Sequence, residues 1–484
     1  MPLPYVYLIR SRNGRRMAMK RILSFMLAAL LLAGCAGPGG GVSENKTASP
    51  GAEGGTVPAK MNYVLSEPIY PEFPKEPQMP VEGSEGEWKA YSEAYEKYIN
   101  ALHAIRGENS GLTDRQKATL NIFAAKSTPL AIASHGGENV VYSPLSLWSA
   151  LAMLAQCASG DSRRQALDAL GAEDVYELQE GASRVWRTLY TDDGQSSLIL
   201  SNSIWLNGNL RGTYVQETLD VLAEQYYSSA YSVPMGTDAA DSAVTEWVSK
   251  QTNDLIGSGT PVVKTNPETL ALLASSLYYK AAWTEEFMAD RTQEDTFTAA
   301  DGQESQVDFM HQTQSGSFLR RENWRAAQLG TSLGRITFVL PDEGISPESL
   351  LQNPDFLSEL DFSAEHTVYG EVQWSVPKFD VDSSLDLMDA LKAMGVTDLT
   401  DMDRADLTAL TDLDAYLSEA KQLARVKVDE EGVEAAAVTI LEIDECCALP
   451  PVEPEVCVMD LDRPFLFVIR TQDVPLFIGI VNQV

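Results

Sequence analysis

The sequence predicts an α+β fold, because helical and strand patterns are mixed along the chain without the regular alternation of a parallel α/β fold. Three segments have the apolar, β-branched composition of strands: residues 197–207, 334–341 and 371–379. Three have helical patterns: residues 145–158, 241–256 and 384–394. The first helix follows the start signal Ser143-Pro144. Residues 464–481 are two apolar runs joined by a short polar turn, which predicts a β-hairpin.

Length and composition place the chain among globular proteins with a large core. It has 484 residues, of which 44% are hydrophobic, enough for one large domain or two to three average ones. The formal net charge is −33, and a surface this acidic repels the phosphates of nucleic acids. We therefore expect no nucleic-acid partner.

The first 35 residues have the pattern of a secretory targeting segment. Basic residues precede the apolar run ILSFMLAALLLAG, which is too short to span a bilayer comfortably and ends at Cys35. Small residues before a cysteine at this place resemble the bacterial lipobox, in which the cysteine is lipidated and becomes the mature N-terminus. An ordinary signal peptide with an incidental cysteine is the alternative. Met17 or Met19 is a second candidate for the start of the chain.

Three regions follow from these patterns. Residues 1–35 are predicted to be a lipoprotein signal peptide, residues 36–86 a flexible tether rich in Gly, Ser and Pro, and residues 87–484 the folded body. The predicted signal peptide holds six basic and no acidic residues, so the mature chain would carry a net charge of −33 − 6 = −39. We expect an extracellular protein that is held at the bacterial cell surface by its lipid alone.

The cysteines and histidines indicate neither a disulfide framework nor a metal site. Apart from Cys35, the chain has four cysteines, far too few to hold a fold of this size together. Its four histidines are scattered and form no H-E-x-x-H motif. We therefore expect no zinc and no other cofactor.

One long stretch, 428-VDEEGVEAAAVTILEIDECCALPPVEP-454, alternates with the period of a strand and then stops in cysteines and prolines. Counted in steps of two from Gly432, one side is uncharged: Val433, Ala435, Ala437, Thr439, Leu441 and Ile443. The other side is mixed: Glu434, Ala436, Val438, Ile440, Glu442 and Asp444. The uncharged side fits a buried sheet face. A helix is the alternative because Glu434–Ala437 are good helix formers, but the Val, Thr and Ile that follow favour a strand.

The segment 330-GTSLG-334 fits the G-x-S-x-G elbow of serine hydrolases, with Ser332 as nucleophile. That elbow requires a strand before the serine and a helix after it, whereas a strand pattern follows here. His366 is the only histidine downstream. We therefore interpret the two glycines as part of a hairpin turn, and find no convincing catalytic set.

Several motifs, in order from about residue 115 to the C-terminus, resemble those of the serpin family. They are 139-NVVYSPLS-146, 201-SNSIWL-206, 277-LYYKAAWTEEF-287 with Thr292 and 301-DG-302, 377-PKF-379, 462-DRPFLFVIR-470 and 475-PLFIGIV-481. Each motif is weak alone, and their order and spacing carry the resemblance. It implies a large central sheet with surrounding helices, further sheets and an exposed reactive-centre loop, here about residues 430–458.

The resemblance also implies a mechanism for the alternating stretch. In serpins a target protease cuts the exposed loop, and the freed loop inserts as an extra strand into the central sheet while the protease is still attached. The implied hinge residues are Glu430, Gly432, Val433, Glu434, Ala435, Ala436, Ala437 and Thr439. Val433 stands where threonine or serine is common, which we expect to slow insertion slightly.

The resemblance further assigns residues that control opening of the central sheet: Ser143, Ser146, Ser275, Trp283 and Gln422. Two of them depart from the family pattern. Ser275 replaces the usual asparagine and Gln422 a frequent histidine, so the barrier to sheet opening is expected to differ from that of typical members.

The usual spacing from Glu430 places the scissile bond between Cys446 and Cys447, with Asp444 and Glu445 as alternates because the loop is several residues longer than is common. Cys446 would suit an elastase-like protease and Glu445 a glutamate-specific one. A disulfide from Cys457 to Cys446 or Cys447 would restrain insertion, and free thiols are the alternative.

The expected function is therefore extracellular inhibition of serine proteases by a monomer that is not an enzyme. No heparin-type cofactor is expected, since 161-DSRRQALDALGAEDV-175 has only two arginines beside several acids. A non-inhibitory serpin-fold binding protein is the first alternative. A lipid-anchored serine hydrolase using Ser332 is the second.

Overall fold

The computed structural model describes residues 2–11, 63–68, 70, 74–80, 84–106, 111–193, 196–257, 261–433 and 455–484. Within them the chain forms ten α-helices and eighteen strands. The helices are α1 (Glu85–Arg106), α2 (Asp114–Ile132), α3 (Pro144–Cys157), α4 (Gly160–Leu170), α5 (Val175–Leu189), α6 (Gln216–Gln225), α7 (Asp238–Gln251), α8 (Pro347–Leu351), α9 (Phe356–Glu359) and α10 (Met388–Ala393). This mixture of helices and strands confirms the α+β class.

The strands form two large sheets. They are β1 (Pro2–Ser11), β2 (Val64–Ser66), β3 (Val140–Tyr142), β4 (Thr191–Asp192), β5 (Ser197–Asn207), β6 (Ser228–Val233), β7 (Thr269–Ala282), β8 (Gln293–Thr298), β9 (Glu304–Arg320), β10 (Trp324–Thr331), β11 (Gly334–Pro341), β12 (Val368–Pro377), β13 (Phe379–Asp386), β14 (Ala415–Val428), β15 (Gly432–Val433), β16 (Glu455–Asp460), β17 (Phe465–Thr471) and β18 (Val474–Val481). The central sheet has the order β13-β14-β1-β7-β5-β6-β2, with β15 paired to β7 and β4 to β5. The second sheet has the order β16-β12-β9-β10-β11-β17-β18-β3, with β8 paired to β9.

Helix α3 lies in the main core and contacts both sheets, through β7 and β18. Ser143 caps its N-terminus by accepting a hydrogen bond from the Ser146 amide, and Pro144 occupies the first turn, where its missing N–H costs nothing. Apart from Ser149, every residue of this helix is buried. The apolar run that predicted a buried helix is therefore explained by its place under the central sheet.

Helix α7 covers the opposite face of the central sheet. Val244 and Trp247 of this helix pack with Trp205 of β5 and with Leu272 and Ala274 of β7 in a second, smaller core. Alternate residues of β7 thus face two different cores, since Leu273 and Leu277 belong to the main one. A strand added beside β7 would be buried on both faces.

The hairpin and two of the three predicted strands are found where the sequence predicts them. The strand predicted over 371–379 is instead divided between β12, which ends at Pro377, and β13, which begins at Phe379. Strand β5 covers 197–207, β11 covers 334–341, and β17 and β18 form the C-terminal hairpin, paired antiparallel. These segments are apolar because both faces of their sheets are covered, so the hydrophobic pattern alone locates them.

Two predicted helices have different limits in the structure. The helix predicted over 241–256 runs from Asp238 to Gln251, because Asn253 and Asp254 have positive φ angles that no α-helix continues through. The helix predicted over 384–394 begins only at Met388, because residues 384–386 still belong to β13 and pair with β14.

Two strands lie in regions for which the sequence analysis predicts no strand. Strand β1 falls inside the predicted signal peptide, and β2 falls inside the predicted tether, where it pairs antiparallel with β6. Helix α1 also begins within the last residues of that tether, at Glu85. The short β2 has no periodic pattern of its own, so it depends on the exposed edge of β6.

The apolar run before Cys35 and Cys35 itself lie outside the described residues. Within the part of the chain that the structure describes, no helix combines the length and the apolarity that crossing a bilayer requires.

Candidate functional site

The candidate site is a slot in the central sheet between β7 and β14. Strand β1 lies between these two strands and pairs antiparallel with both. Neighbouring strands are about 4.8 Å apart, so β7 and β14 are separated by about twice that distance. In this sheet β7 is paired on its far side by β5 and β14 by β13. On the slot side β1 pairs with residues 269–275 of β7 and 415–424 of β14, and among the described residues no strand pairs with 276–280 of β7.

The predicted hinge residues Gly432 and Val433 already lie at the top of the slot. They form β15, with Gly432 opposite Ala282 and Val433 opposite Ala281, antiparallel to β7. Val433 is 1% exposed and belongs to the main core. A Cβ atom on Gly432 would lie 2.4 Å from the Ala281 carbonyl oxygen, and its φ of 149° is one that other residues rarely adopt. Glycine is therefore required for this close approach.

A group of hydrogen bonds, which we call the upper clasp, joins the top of β7 to the end of β14. The buried indole Nε1 of Trp283 donates to the carbonyl oxygen of Asp429 at 2.8 Å. The amide of Trp283 donates to the carbonyl oxygen of Glu431 at 3.3 Å. Trp283, assigned to sheet-opening control by the resemblance, thus holds the backbone just before the hinge glycine.

The side chain of Glu430 completes the upper clasp. Its carboxylate accepts a hydrogen bond from Thr292 Oγ1 at 2.9 Å and lies 3.3 Å from Lys378 Nζ. Burial opposes ionisation of this carboxyl, but the hydrogen bonds and the lysine charge outweigh that effect, and the pKa of Glu430 lies below its usual value. Glu430 is therefore held in place as an anion.

A second group, the middle clasp, joins β14 to the start of α3. The fully buried Gln422 accepts from the Ser143 amide at 2.9 Å through Oε1, and its Nε2 donates to the Ser143 carbonyl oxygen at 3.1 Å. The Ser143 hydroxyl donates to Ser146 Oγ at 3.1 Å. A glutamine amide offers both a donor and an acceptor, which lets one side chain pair with both backbone groups.

Ser275 and Gln422 face each other across the slot. Both lie opposite Tyr5 of β1, one on β7 and one on β14. The structure thus brings Ser143, Ser146, Ser275 and Gln422 to the same level of the sheet and leaves Trp283 at its top, beside the hinge.

The pairing of β15 sets a register along β7. Because the pairing is antiparallel, each further residue of the loop would lie opposite the preceding residue of β7. A strand that continued downwards in this register would place Thr439 opposite Ser275 and Glu445 opposite Thr269, the first residue of β7. The length of β7 therefore matches the stretch from Gly432 to Glu445, and Cys446 would be the first residue beyond the sheet.

The remaining predicted loop residues, from Glu434 through Thr439 and from Asp444 through Cys447, lie outside the described residues. The predicted loop ends earlier than expected, because 455–458 belong to β16, which pairs parallel with β12.

Cys457 is a buried free thiol in β16, and burial raises its pKa. Its side chain thus lies in the second sheet and not in a solvated loop.

The G-x-S-x-G segment is the turn of a hairpin, as its two glycines predict. Strand β10 ends at Thr331, which pairs with Gly334 at the start of β11. The Ser332 hydroxyl is hydrogen-bonded to Ser196 Oγ at 2.6 Å, whereas His366 pairs with Asp361. Ser332 therefore has neither the strand-to-helix elbow nor the histidine of a serine hydrolase.

Sequence reasoning did not assign a role to Thr292 or Lys378, the two partners of Glu430. Both stand inside quoted family motifs, and that was the only signal available. Their contact with Glu430 joins positions 138 and 52 residues apart, which a single sequence does not reveal.

Comparison with known proteins agrees with this geometry. A family model described as "Serpin (serine protease inhibitor)" matches residues 118–484. The chain belongs to the serpin family. Serpin-ZXA from Oryza sativa subsp. japonica is 31% identical over 383 residues, which cover 74% of this chain and 94% of that protein. Members of this family in general inhibit serine proteases and are not enzymes.

Solved serpins share the fold. The native state of the thermophilic serpin tengpin is 25% identical, with a TM-score of 0.67 over 77% of this chain and 95% of tengpin. Thyroxine-binding globulin in complex with thyroxine is 23% identical, with a TM-score of 0.61 over 76% of this chain and 99% of the globulin. At that identity the second likeness shows the fold alone.

Replacing Gln422 by alanine should destabilise the protein, because both hydrogen bonds of the middle clasp are lost inside the core. Each net hydrogen bond contributes about 1 kcal/mol, so we expect the free energy of unfolding to fall by about 2 kcal/mol or more. Chemical denaturation measures the shift. The exposed neighbour Lys421, replaced by alanine, is the control and should change stability by less than about 0.5 kcal/mol. Equal effects of the two substitutions would contradict the middle clasp.

The charge of Glu430 should make the upper clasp depend on pH. A carboxyl whose pKa is lowered in the folded state stabilises that state above its unfolded pKa of about 4.3, and this contribution disappears as pH falls through the folded-state pKa. The thermal unfolding midpoint of Glu430→Gln should therefore lie below that of the parent at pH 7 and approach it at acidic pH. The exposed Glu343→Gln is the control. A difference that persists unchanged at pH 3 would contradict the assigned charge.

Proposed function

We propose that this serpin inhibits serine proteases as a suicide substrate. The protease serine attacks the carbonyl carbon of the residue before the cut, and an ester bond forms while the peptide C–N bond breaks. The protease histidine passes the serine proton to the leaving amine. The loop, freed at its C-terminal end, then enters the slot with the protease attached by the ester, before water can hydrolyse that ester.

The observation that carries this proposal is the register of the hinge. Gly432 and Val433 already pair with the top of β7, so insertion extends a strand that has begun. In that register the whole length of β7 is filled when Glu445 lies opposite Thr269. The acyl linkage at Cys446 would then lie just past the lower end of the sheet, at the end opposite the loop's origin.

The faces of the slot fit the alternation of the loop. Odd-numbered residues of β7 such as Leu273 and Leu277 belong to the main core, as does Val433. Directly opposed residues share a face, so the uncharged loop positions would face that core. On the other face Glu434 would lie opposite Lys280, a partly exposed residue of opposite charge.

In a chain of residues 36–484, which lacks β1, the edges of β7 and β14 that face the slot would be unpaired, and pairing them supplies the driving force. Thirteen residues, Val433 to Glu445, would lie between β7 and β14 and would form roughly one hydrogen bond each. At about 1 kcal/mol net for each bond the gain is on the order of 10 kcal/mol, far above thermal energy. Insertion on this scale is effectively irreversible, so the state before cleavage is preserved by kinetics.

The loop sequence favours two classes of target. With the scissile bond between Cys446 and Cys447, the small residue before the cut suits the narrow pocket of an elastase-like protease. A cut after Glu445 suits a glutamate-specific protease, and Asp444 is the remaining alternate.

We propose that the protein acts outside the cell, anchored at a bacterial surface through lipidated Cys35, as a monomer without a heparin-type cofactor.

A groove in the structure supports the alternative, a non-inhibitory binding protein. It has a volume of about 970 Å³ and lies between α2, α9 and β17. Arg470 lines it; burial lowers the pKa of this guanidinium to about 10, and its Nη1 donates to Asn121 Oδ1 at 2.8 Å. The lining has four carboxylates and three cationic side chains beside apolar residues, so a small organic molecule without a strong net charge would suit this groove. Thyroxine-binding globulin shows that the fold supports such a function.

Incubation of residues 36–484 with elastase-like, chymotrypsin-like, trypsin-like and glutamate-specific proteases tests the proposal. We expect a complex with one of them that survives denaturing electrophoresis, and a released C-terminal peptide whose mass locates the cut between Asp444 and Cys447. Cleavage of the loop without a complex from any of these proteases would contradict inhibition and favour the binding function.

The control variants test the slot itself. Val433 is already buried before the cut, so the test uses Ala435, the next loop position that insertion would turn towards the main core. Ala435→Arg would bury an unpaired charge only on insertion, at a cost of several kcal/mol. It should therefore convert the protein from an inhibitor into a substrate that is cut and released. Glu434→Gln changes the neighbouring residue on the other face and should leave the complex intact. Complex formation by Ala435→Arg would show that trapping does not require this position to enter the sheet.

A further inference from the structure

The structure shows the slot occupied by a segment that no loop mechanism requires. Strand β1, with the sequence PLPYVYLIRS, pairs with β7 from Thr269 to Ser275 and with β14 from Ala415 to Ala424. It runs antiparallel to both neighbours, in the same direction as β15. It therefore pairs with the same edges of β7 and β14 that an inserting loop would use, and it runs in the same direction as that loop would.

We propose that residues 2–11 are a competitor of the reactive loop, built into the chain, which keeps the inhibitor inactive until the N-terminal segment is removed. This proposal rests on the proposed insertion mechanism. It assigns the lower part of the slot as a binding site for an extended peptide, with this chain's own N-terminus as the ligand.

The register defines where the competition starts. The hinge register places Thr439 opposite Ser275, the residue that Tyr5 already pairs with. Above that level, residues 276–280 of β7 have no strand on their slot side among the residues that the structure describes. Residues 2–4 of β1 extend above that level along β14, where Pro2 lies opposite Ala424. At most five loop residues, 434–438, could therefore enter before the loop meets β1. The scissile residue would then remain far above the lower end of the sheet.

The composition of β1 explains its limits. Residues 5–9 are Tyr, Val, Tyr, Leu and Ile, all apolar or aromatic and mostly strong strand formers. Pro2 and Pro4 have no backbone N–H to donate to a ladder, and pairing with β7 begins only after them, at Tyr5. The prolines thus mark the upper end of the competitor.

The chain length permits this docking. Fifty-two residues, 12–63, separate β1 from β2, which begins at Val64, and a chain of this length can span roughly 170 Å. Strand β2 lies four strand positions from β1 in the same sheet, about 19 Å away. A tethered strand also has a high effective concentration, so it competes with a loop that belongs to the same chain.

Processing would supply the release. Hydrolysis of the peptide bond between Gly34 and Cys35 consumes one water molecule and leaves a carboxylate on Gly34 and an amine on Cys35. The cut separates β1 from the body and abolishes its effective concentration. The inhibitor would then become active only after it has been exported and processed, and unprocessed chains would not trap proteases.

A disulfide experiment tests the docking without any protease. In the full chain of residues 1–484, Val6→Cys should cross-link to Ala274→Cys, its direct partner across the sheet. Leu272→Cys is the matched control, since a diagonal position lies about 7–8 Å away, too far for a disulfide. Mass spectrometry identifies the linked peptides. Absence of the cross-link between positions 6 and 274, or an equal yield with the control, would overturn the proposal.

Inhibition assays test the competition. With the protease that residues 36–484 trap, the full chain should require about tenfold more inhibitor per protease, or form no stable complex. Tyr7→Pro in the full chain removes a ladder donor inside β1 and should restore trapping, whereas Asn13→Pro, outside the strand, should not. Equal trapping by the full chain and by residues 36–484 would overturn the competition.

The two sets of results separate the two proposals. A cross-link between positions 6 and 274 without trapping by either chain would support docking in the slot and contradict the inhibitory function. Trapping by both chains without that cross-link would support inhibition and contradict a role for β1.

Discussion

The rest of this structure depends on two strand edges that face each other, one on β7 and one on β14. Each strand is hydrogen-bonded on its far side, and both faces of β7 are covered by packed cores. Backbone groups in such a place must be paired by another strand or by each other. The slot therefore favours any extended segment that has the right polarity, length and small or apolar side chains.

The hinge and the two clasps control which segment enters. The upper clasp fixes the backbone of residues 429–431 to Trp283, Thr292 and Lys378, so the loop starts from a defined point at the top of β7. The middle clasp ties β14 to the buried helix α3 through Gln422. These contacts explain why the edges of β7 and β14 accept one segment and not another, although pairing any added strand would lower the free energy.

Much of this fold follows from local patterns, because strands and helices covered on both sides are apolar throughout. The α3 helix, β5, β11 and the C-terminal hairpin could be located in this way. The alternation after Gly432 predicted a strand, and the resemblance to serpins assigned that stretch as the hinge. The sequence predicts its conformational freedom, and the structure adds the contact with Ala281 that excludes any side chain.

The contacts between distant segments could not be predicted. Glu430 meets Lys378 and Thr292 only because the end of β14 and the starts of β13 and β8 come together, and no local pattern predicts that. Strand β1 was missed for a related reason. It lies within the 35 residues that were assigned as a whole to a signal peptide, and its partners lie more than 250 residues away.

Hydrogen exchange of the amides in β7 tests the central claim most directly. Residues 36–484 would be measured before and after a single cut in the loop. Insertion predicts that the amides of residues 276–280 that point into the slot become strongly protected after the cut, together with those of 434–445. Unchanged exchange of both segments after complete cleavage would contradict insertion along β7, and with it the proposed mechanism of inhibition.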